Sequence, residues 1–240
     1  MIRVAMWSGP RNISTAMMRS WENRGDTFVV DEPLYAHYLT QVEVAHPGRD
    51  EVIAHHETDW RKVVRWLTDE EPGGAAIFYQ KHMAHHLLPD MSRDWVSRLT
   101  NCFLIREPGA MLASLFKKMG RPALGDTGLA EQVELFRAMK RETGRTPPVV
   151  DSADVLRNPR RVLGALCDAV GVPFTNRMLS WPPGRRDSDG IWAKYWYDAV
   201  ERSTGFEPWQ EKTVELPAEL AELYQECRGH YEELHAERVK

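Results

Sequence analysis

The sequence predicts an α/β fold of the three-layer P-loop type, with a mostly parallel sheet flanked by helices. Short apolar runs rich in β-formers alternate with longer stretches of helical period, the pattern of strand–helix–strand units. The first apolar run feeds a glycine-containing turn and then a helix start. Charged or anion-binding residues follow each of the first four runs, at the carboxyl end where such sheets bind ligands.

The elements are expected in this order. Ile2–Trp7 is a strand, Ser8–Thr15 its loop and Ser14–Arg24 a helix, with Ser14 suited to the cap. Thr27–Val30 is a strand ending in Asp31-Glu32-Pro33. Residues 33 to 60 read as loop, and Thr58–Leu67 as helix. Ala75–Tyr79 is a strand followed by Gln80-Lys81-His82, and Asn101–Ile105 a strand followed by Arg106-Glu107-Pro108. Helices are expected at Gly109–Lys118 and Leu129–Thr143, with loop from 119 to 130 between them. Pro148–Asp151 is the last strand and Pro159–Val170 the next helix. Pro217 opens a final helix whose Leu220, Leu223, Tyr224, Cys227, Tyr231 and Leu234 form one apolar stripe.

The chain has 240 residues, 42% of them hydrophobic, and no linker or repeat divides it, so residues 1–240 are expected to form a single domain. A net charge of -4 without a basic stripe argues against a nucleic-acid partner. No apolar run approaches the roughly 18 residues of a membrane span, so no membrane partner is expected. The chain begins in a strand-like run rather than a secretory signal. Cys102, Cys167 and Cys227 are odd in number and far apart, which fits reduced cytoplasmic thiols packed in a core. Oligomeric state is not legible in the pattern.

The loop "SGPRNIST" supplies Gly9, Pro10, Arg11, Asn12, Ser14 and Thr15 as candidate anion ligands. Backbone amides at a helix start, two hydroxyls and a guanidinium together suit a phosphate. A Walker A loop would place glycine and lysine where Ile13 and Ser14 stand, and the lysine is missing. A metal-dependent kinase or NTPase is therefore disfavoured. A second anion motif lies in "FLIREPGAMLASLFK", where Arg106 ends a strand and Ser114 follows on the next helix. Two separate phosphate cradles on one sheet edge imply a ligand carrying two well-separated phosphates.

These residues resemble the sulfotransferase family, whose donor is 3′-phosphoadenosine 5′-phosphosulfate (PAPS). Pro10 to Thr15 is similar to the family's PRSGST or PKSGTT loop for the 5′-phosphosulfate, with Asn12 and Ile13 where serine and glycine are common. Arg106, Pro108 and Ser114 match its R-x-P-x5-S motif for the 3′-phosphate. The segment "VVDSADVLRNPRRVLGALCDAVGVPF" resembles the family's late strand and helix. Gly190, Trp192 and Lys194 in "DGIWAKYW" resemble its donor-covering loop, with Arg185 and Arg186 just before. The resemblance runs from residue 2 to about 194 and implies PAPS as co-substrate, no metal, and a small-molecule acceptor offering a hydroxyl or amine.

It also implies a catalytic base. Some relatives place a glutamate after strand two, where Glu32 stands; others carry K-T-H after strand three, where this chain has Lys81-His82. Glu32 is the first expectation and His82 the second, with Lys81 stabilising the donor's bridging oxygen. His82, His85 and His86 share a helical spacing that would also suit a metal, but no distinctive third ligand accompanies them. The aromatics Trp181, Trp192, Tyr195, Trp196, Tyr197 and Trp209 suit either core filling or stacking on a ligand. A non-catalytic nucleotide-binding relative is the alternative reading.

Overall fold

The computed structural model describes residues 1–43, 48–211 and 215–239. Its sheet has strands β1 (Ile2–Ser8), β2 (Thr27–Asp31), β3 (Ile77–Met83), β4 (Thr100–Ile105) and β5 (Val149–Asp151) in the order β2-β3-β1-β4-β5. Every pairing is parallel, with Val4 of β1 opposite Tyr79 on one side and Thr100 on the other. The α/β class is therefore as the sequence predicts.

The longer helices are α1 (Ser14–Glu22), α2 (Tyr35–Gln41), α3 (Arg49–His55), α4 (Trp60–Asp69), α5 (Pro108–Met119) and α6 (Leu129–Thr143). They are followed by α7 (Ser152–Arg157), α8 (Pro159–Val170), α9 (Ala193–Trp196), α10 (Asp198–Arg202) and α11 (Ala221–Ala236). Strand alternation sorts the core into two layers. Ala5, Trp7, Phe78, Phe103 and Ile105 pack under α4 and α6. Val4, Met6, Tyr79, Cys102 and Leu104 pack under α1 and α8. Each layer is dominated by buried apolar groups, and burial of this kind stabilises by roughly 25 cal/mol per Å². All three cysteines are free and buried.

Several expected boundaries move. β3 runs on through Gln80, Lys81 and His82, which the sequence reading placed after the strand. Polar residues are tolerated in a buried strand when they find partners, and the Gln80 amide donates to the Leu67 carbonyl at 2.9 Å. Residues 33 to 60 contain α2 and α3 rather than loop alone. Ser14 is the first residue of α1, not its cap; Ile13 holds the cap position and makes no side-chain cap bond. Pro217 precedes a single 3-10 turn, Ala218–Leu220, before α11 starts.

Candidate functional site

A cavity of about 490 Å³ opens beyond the carboxyl ends of the strands. Pro10 to Ala16 form one side, Glu32 and Lys81 the strand ends, and Trp192, Trp196 and Tyr197 part of the cover.

The loop after β1 is shaped by three contacts. The Asn12 amide donates to the Leu104 carbonyl at 3.0 Å, and its oxygen accepts the Ile13 N–H at 2.8 Å. Asn12 thus ties the loop to β4. Arg11 takes a left-handed backbone conformation, φ 56°, which most residues avoid. Gly9 does not line the cavity; a Cβ there would lie 2.2 Å from the Thr127 carbonyl oxygen, so the glycine serves a close backbone approach. Beyond the loop, the first amides of α1 have no intrahelical acceptor and carry the positive end of its dipole. Ser14, Thr15 and Ala16, which bear them, all line the cavity.

Arg11 and Arg106 meet at this loop. Arg11 Nε donates to Ser114 Oγ at 2.9 Å, and Arg106 donates to the Arg11 carbonyl. The two motifs that the sequence reading set apart are therefore adjoining. Ser114, in the second turn of α5, meets Arg11 from the loop after β1. Neither arginine forms a salt bridge with a carboxylate among the described residues. Glu107, next to Arg106, is occupied in capping α5 at Gly109 and Ala110, 2.9 Å each. Burial, and then the neighbouring Arg11 charge, pull the Arg106 guanidinium below its ordinary range. Two half-buried cations facing a cavity without an anion of their own form a site for one.

A second cluster sits at the ends of β2 and β3. Lys81 Nζ donates to Asp31 Oδ1, Glu32 Oε1 and the Tyr197 hydroxyl, each at 2.7 Å. The Tyr197 hydroxyl donates to Asp31 Oδ2 at 2.7 Å, and the Gly190 amide reaches the same oxygen at 3.1 Å. Lys81 is 1% exposed. Burial opposes its charge, but the Asp31 and Glu32 carboxylates hold it well above the usual lysine range. Burial pushes the Glu32 carboxyl up; Lys81 opposes that shift and Asp31 adds to it. Glu32 also has positive φ, 41°, a strained conformation of the kind that concentrates at functional positions.

Other expected residues lie elsewhere. His82 does not line the cavity: it stacks on Trp7, ring centroids 4.3 Å apart, on the opposite face of β3 from Lys81. The strand alternates, so neighbours point to opposite faces. Burial drives the His82 imidazole down to about 3. The Lys194 ammonium pairs with Glu51 on an exposed surface and is absent from the cavity wall, whereas Trp192 is buried in that wall. Arg186 pairs with Glu22, and its backbone amide donates to Asp189, which is held by the buried Arg19 at 2.6 Å. His85 and His86 lie in a 3-10 turn, so the expected helical face of histidines does not form. Among the described residues no group of three His, Cys, Asp or Glu side chains is arranged to hold a metal, and no helix is long and apolar enough to cross a membrane.

The structure adds residues that sequence reasoning missed. Tyr35 and Tyr38 stack on His86 at 4.7 Å, and Trp192 meets Tyr35 edge-on at 5.1 Å, giving the cavity an aromatic wall beside Glu32. The Tyr35–Tyr38 spacing directly after a strand end was the available signal. Gly190 makes room for this wall, since a Cβ there would lie 2.1 Å from the Trp192 ring.

Comparison with known proteins adds the following. A family model described as a sulfotransferase domain matches residues 2–232. Two Arabidopsis thaliana proteins, branched-chain-amino-acid aminotransferase-like proteins 2 and 1, are 33% and 38% identical over 225 and 200 residues. Those matches cover 94% and 83% of this chain but 40% and 36% of the relatives, so the chain spans well under half their length. Among solved structures, the sulfotransferase domain from the curacin biosynthetic pathway aligns with TM-score 0.58 at 16% identity, covering 95% of this chain and 96% of that one. The sulfotransferase domain of the Synechococcus PCC 7002 olefin synthase gives 0.56 at 16%, covering 94% of each. A sulfotransferase from Alicyclobacillus acidocaldarius gives 0.57 at 11%, covering 100% and 97%. At such identities these structures speak to the fold alone.

Proposed function

The chain belongs to the sulfotransferase domain family, and from that premise we propose that it moves a sulfuryl group from PAPS to a hydroxyl or amine of a small-molecule acceptor. The observation that carries the reading is the pair Arg11 and Arg106, cationic and without carboxylate partners among the described residues, facing the same cavity as Glu32. Bound there, PAPS would supply an activated sulfuryl group on a phosphate leaving group.

In this reading the free amides of α1 with Ser14 and Thr15 take the 5′-phosphosulfate, and Arg106 with Ser114 takes the 3′-phosphate. Arg11, bonded to Ser114, stands between the two and serves both. Charge-assisted bonds of this type contribute roughly 1.5–3 kcal/mol each. Glu32 accepts the proton of the attacking acceptor as a new S–O bond (S–N for an amine) forms and the donor's S–O bond breaks, its electrons remaining on the departing 5′-phosphate. Burial helps, since it raises the Glu32 carboxyl pKa and so makes its carboxylate a stronger base. The aromatic wall of Tyr35, Tyr38 and Trp192 excludes water and offers flat surfaces to the acceptor.

The test is a thermal shift with the desulfated donor, 3′-phosphoadenosine 5′-phosphate. A hundredfold excess over Kd stabilises by about 2.7 kcal/mol, which in a chain of this size is a rise of roughly 5–10 °C. Arg106→Ala is expected to abolish the rise. No shift in the wild-type protein, at millimolar nucleotide, overturns the donor assignment.

A further inference from the structure

An ammonium has three N–H bonds, and at Lys81 the oxygens of Asp31, Glu32 and Tyr197 take one each at 2.7 Å. We infer that Lys81 and Asp31 are positioning residues for the base: Lys81 holds and tunes Glu32 from behind, with no N–H left for the sulfate donor, and Asp31 anchors Lys81. This rests on the reading of Glu32 as base.

Three features support it. Lys81 is enclosed, at 1% exposure, and its three N–H groups are directed at Asp31, Glu32 and Tyr197. Asp31 is itself fixed from three sides, by Lys81, by the Tyr197 hydroxyl and by the Gly190 amide. That leaves the Lys81–Glu32 bond as the only one of the three that reaches a group at 12% side-chain exposure, towards the cavity. Tyr197 accepts from Lys81 and from Trp192 Nε1, the latter at 3.3 Å, so the covering segment and the strand ends share one hydrogen-bonded knot. The charged or titratable groups around Glu32 are Asp31 from β2, Lys81 from β3, Tyr35 from α2 and Tyr197 from the cover.

The signs of the two side chains are opposite. Removing the Asp31 charge takes away a repulsion and leaves Lys81 to Glu32, so the Glu32 carboxyl titrates lower. Removing Lys81 takes away the attraction, so it titrates higher. Side chains without charge coupling to Glu32 would not give this antisymmetric pair.

The experiment has two arms on the full chain. In the first, the Glu side chains carry a 13C label at the carboxyl carbon, the Glu32 resonance is assigned by Glu32→Gln, and its titration midpoint is followed by NMR. Asp31→Asn is expected to move the midpoint down, and Lys81→Met up, each by about one pH unit or more. In the second, 3′-phosphoadenosine 5′-phosphate is titrated by calorimetry. Lys81→Met is expected to bind within about threefold of wild type, whereas Arg106→Ala loses tenfold or more. Should Lys81→Met fail to fold with two carboxylates left together, the charge-balanced pair Lys81→Met with Asp31→Asn replaces it in the binding arm. Midpoints that stay put, or move the same way, overturn the inference; so does a tenfold loss of nucleotide affinity on removing Lys81, which would place its ammonium on the donor. If wild type binds no nucleotide, the donor assignment falls, and the carboxyl titration still decides the role of Lys81 and Asp31.

Discussion

Replacing His82 with glutamine should flatten the acid side of the stability curve. Its imidazole is buried against Trp7 and held down to about 3, while in the unfolded chain it returns to about 6.5. The native pKa is the lower of the two, so stability is fully present above the unfolded value and lost as pH falls below it, because only the unfolded chain takes up the proton. Between pH 8 and pH 5 that proton costs about 2 kcal/mol. His85, pushed by burial to about 4, adds a similar amount. The two together cost about 4 kcal/mol, or roughly 8–16 °C in Tm for a chain of this length. The assay is urea unfolding of wild type and His82→Gln at both pH values. Loss of the stacking on Trp7 lowers the variant at both and cancels in the difference. Wild type is expected to lose about 2 kcal/mol more than the variant on acidification. Equal losses, within about 0.5 kcal/mol, would refute the argument that His82 is buried and neutral.

Glu32→Gln is expected to lower kcat by roughly 10²–10⁴-fold with nucleotide affinity nearly unchanged, in an assay with any accepted substrate; an unimpaired rate removes Glu32 from the chemistry. Asn12→Ala strips the loop of its bonds to Leu104 and Ile13 and should destabilise by about 1–3 kcal/mol in denaturant unfolding. Gly9→Ala drives a methyl into the Thr127 carbonyl and should cost several kcal/mol, about the upper range for single substitutions. Lys194→Ala should leave nucleotide affinity within twofold in calorimetry, its partner being Glu51 on the outer surface.

Both faces of the sheet were legible in the sequence, because strand runs and helix stripes follow periods that any parallel sheet imposes. The candidate residues Arg11, Arg106 and Ser114 were legible as motifs, but not their contact with one another, which depends on the direction α5 takes after β4. The extent of β3 was not legible. Gln80, Lys81 and His82 have loop-like composition, and only their partners Leu67, Asp31, Glu32 and Trp7, far away in sequence, explain their burial. For the same reason the sequence pointed to Lys81-His82 as a reactive pair, whereas alternation sends one towards the cavity and the other into the core. Lys194 was picked for its spacing to Trp192; Trp192, at the N-cap of the short helix α9, is buried, whereas Lys194 within the helix is exposed.

The carbonyl of Thr127 occupies the space beside Gly9 that a side chain would fill. Thr127 is itself fully buried, directly ahead of α6, and α6 lies against β1 and β4. The loop after β1 is thus wedged between its own strand and the residues just ahead of α6, far along the sequence. On the proposed function, an arriving anion would meet a seat already braced by this contact, and its binding energy would go into alignment rather than into shaping the loop.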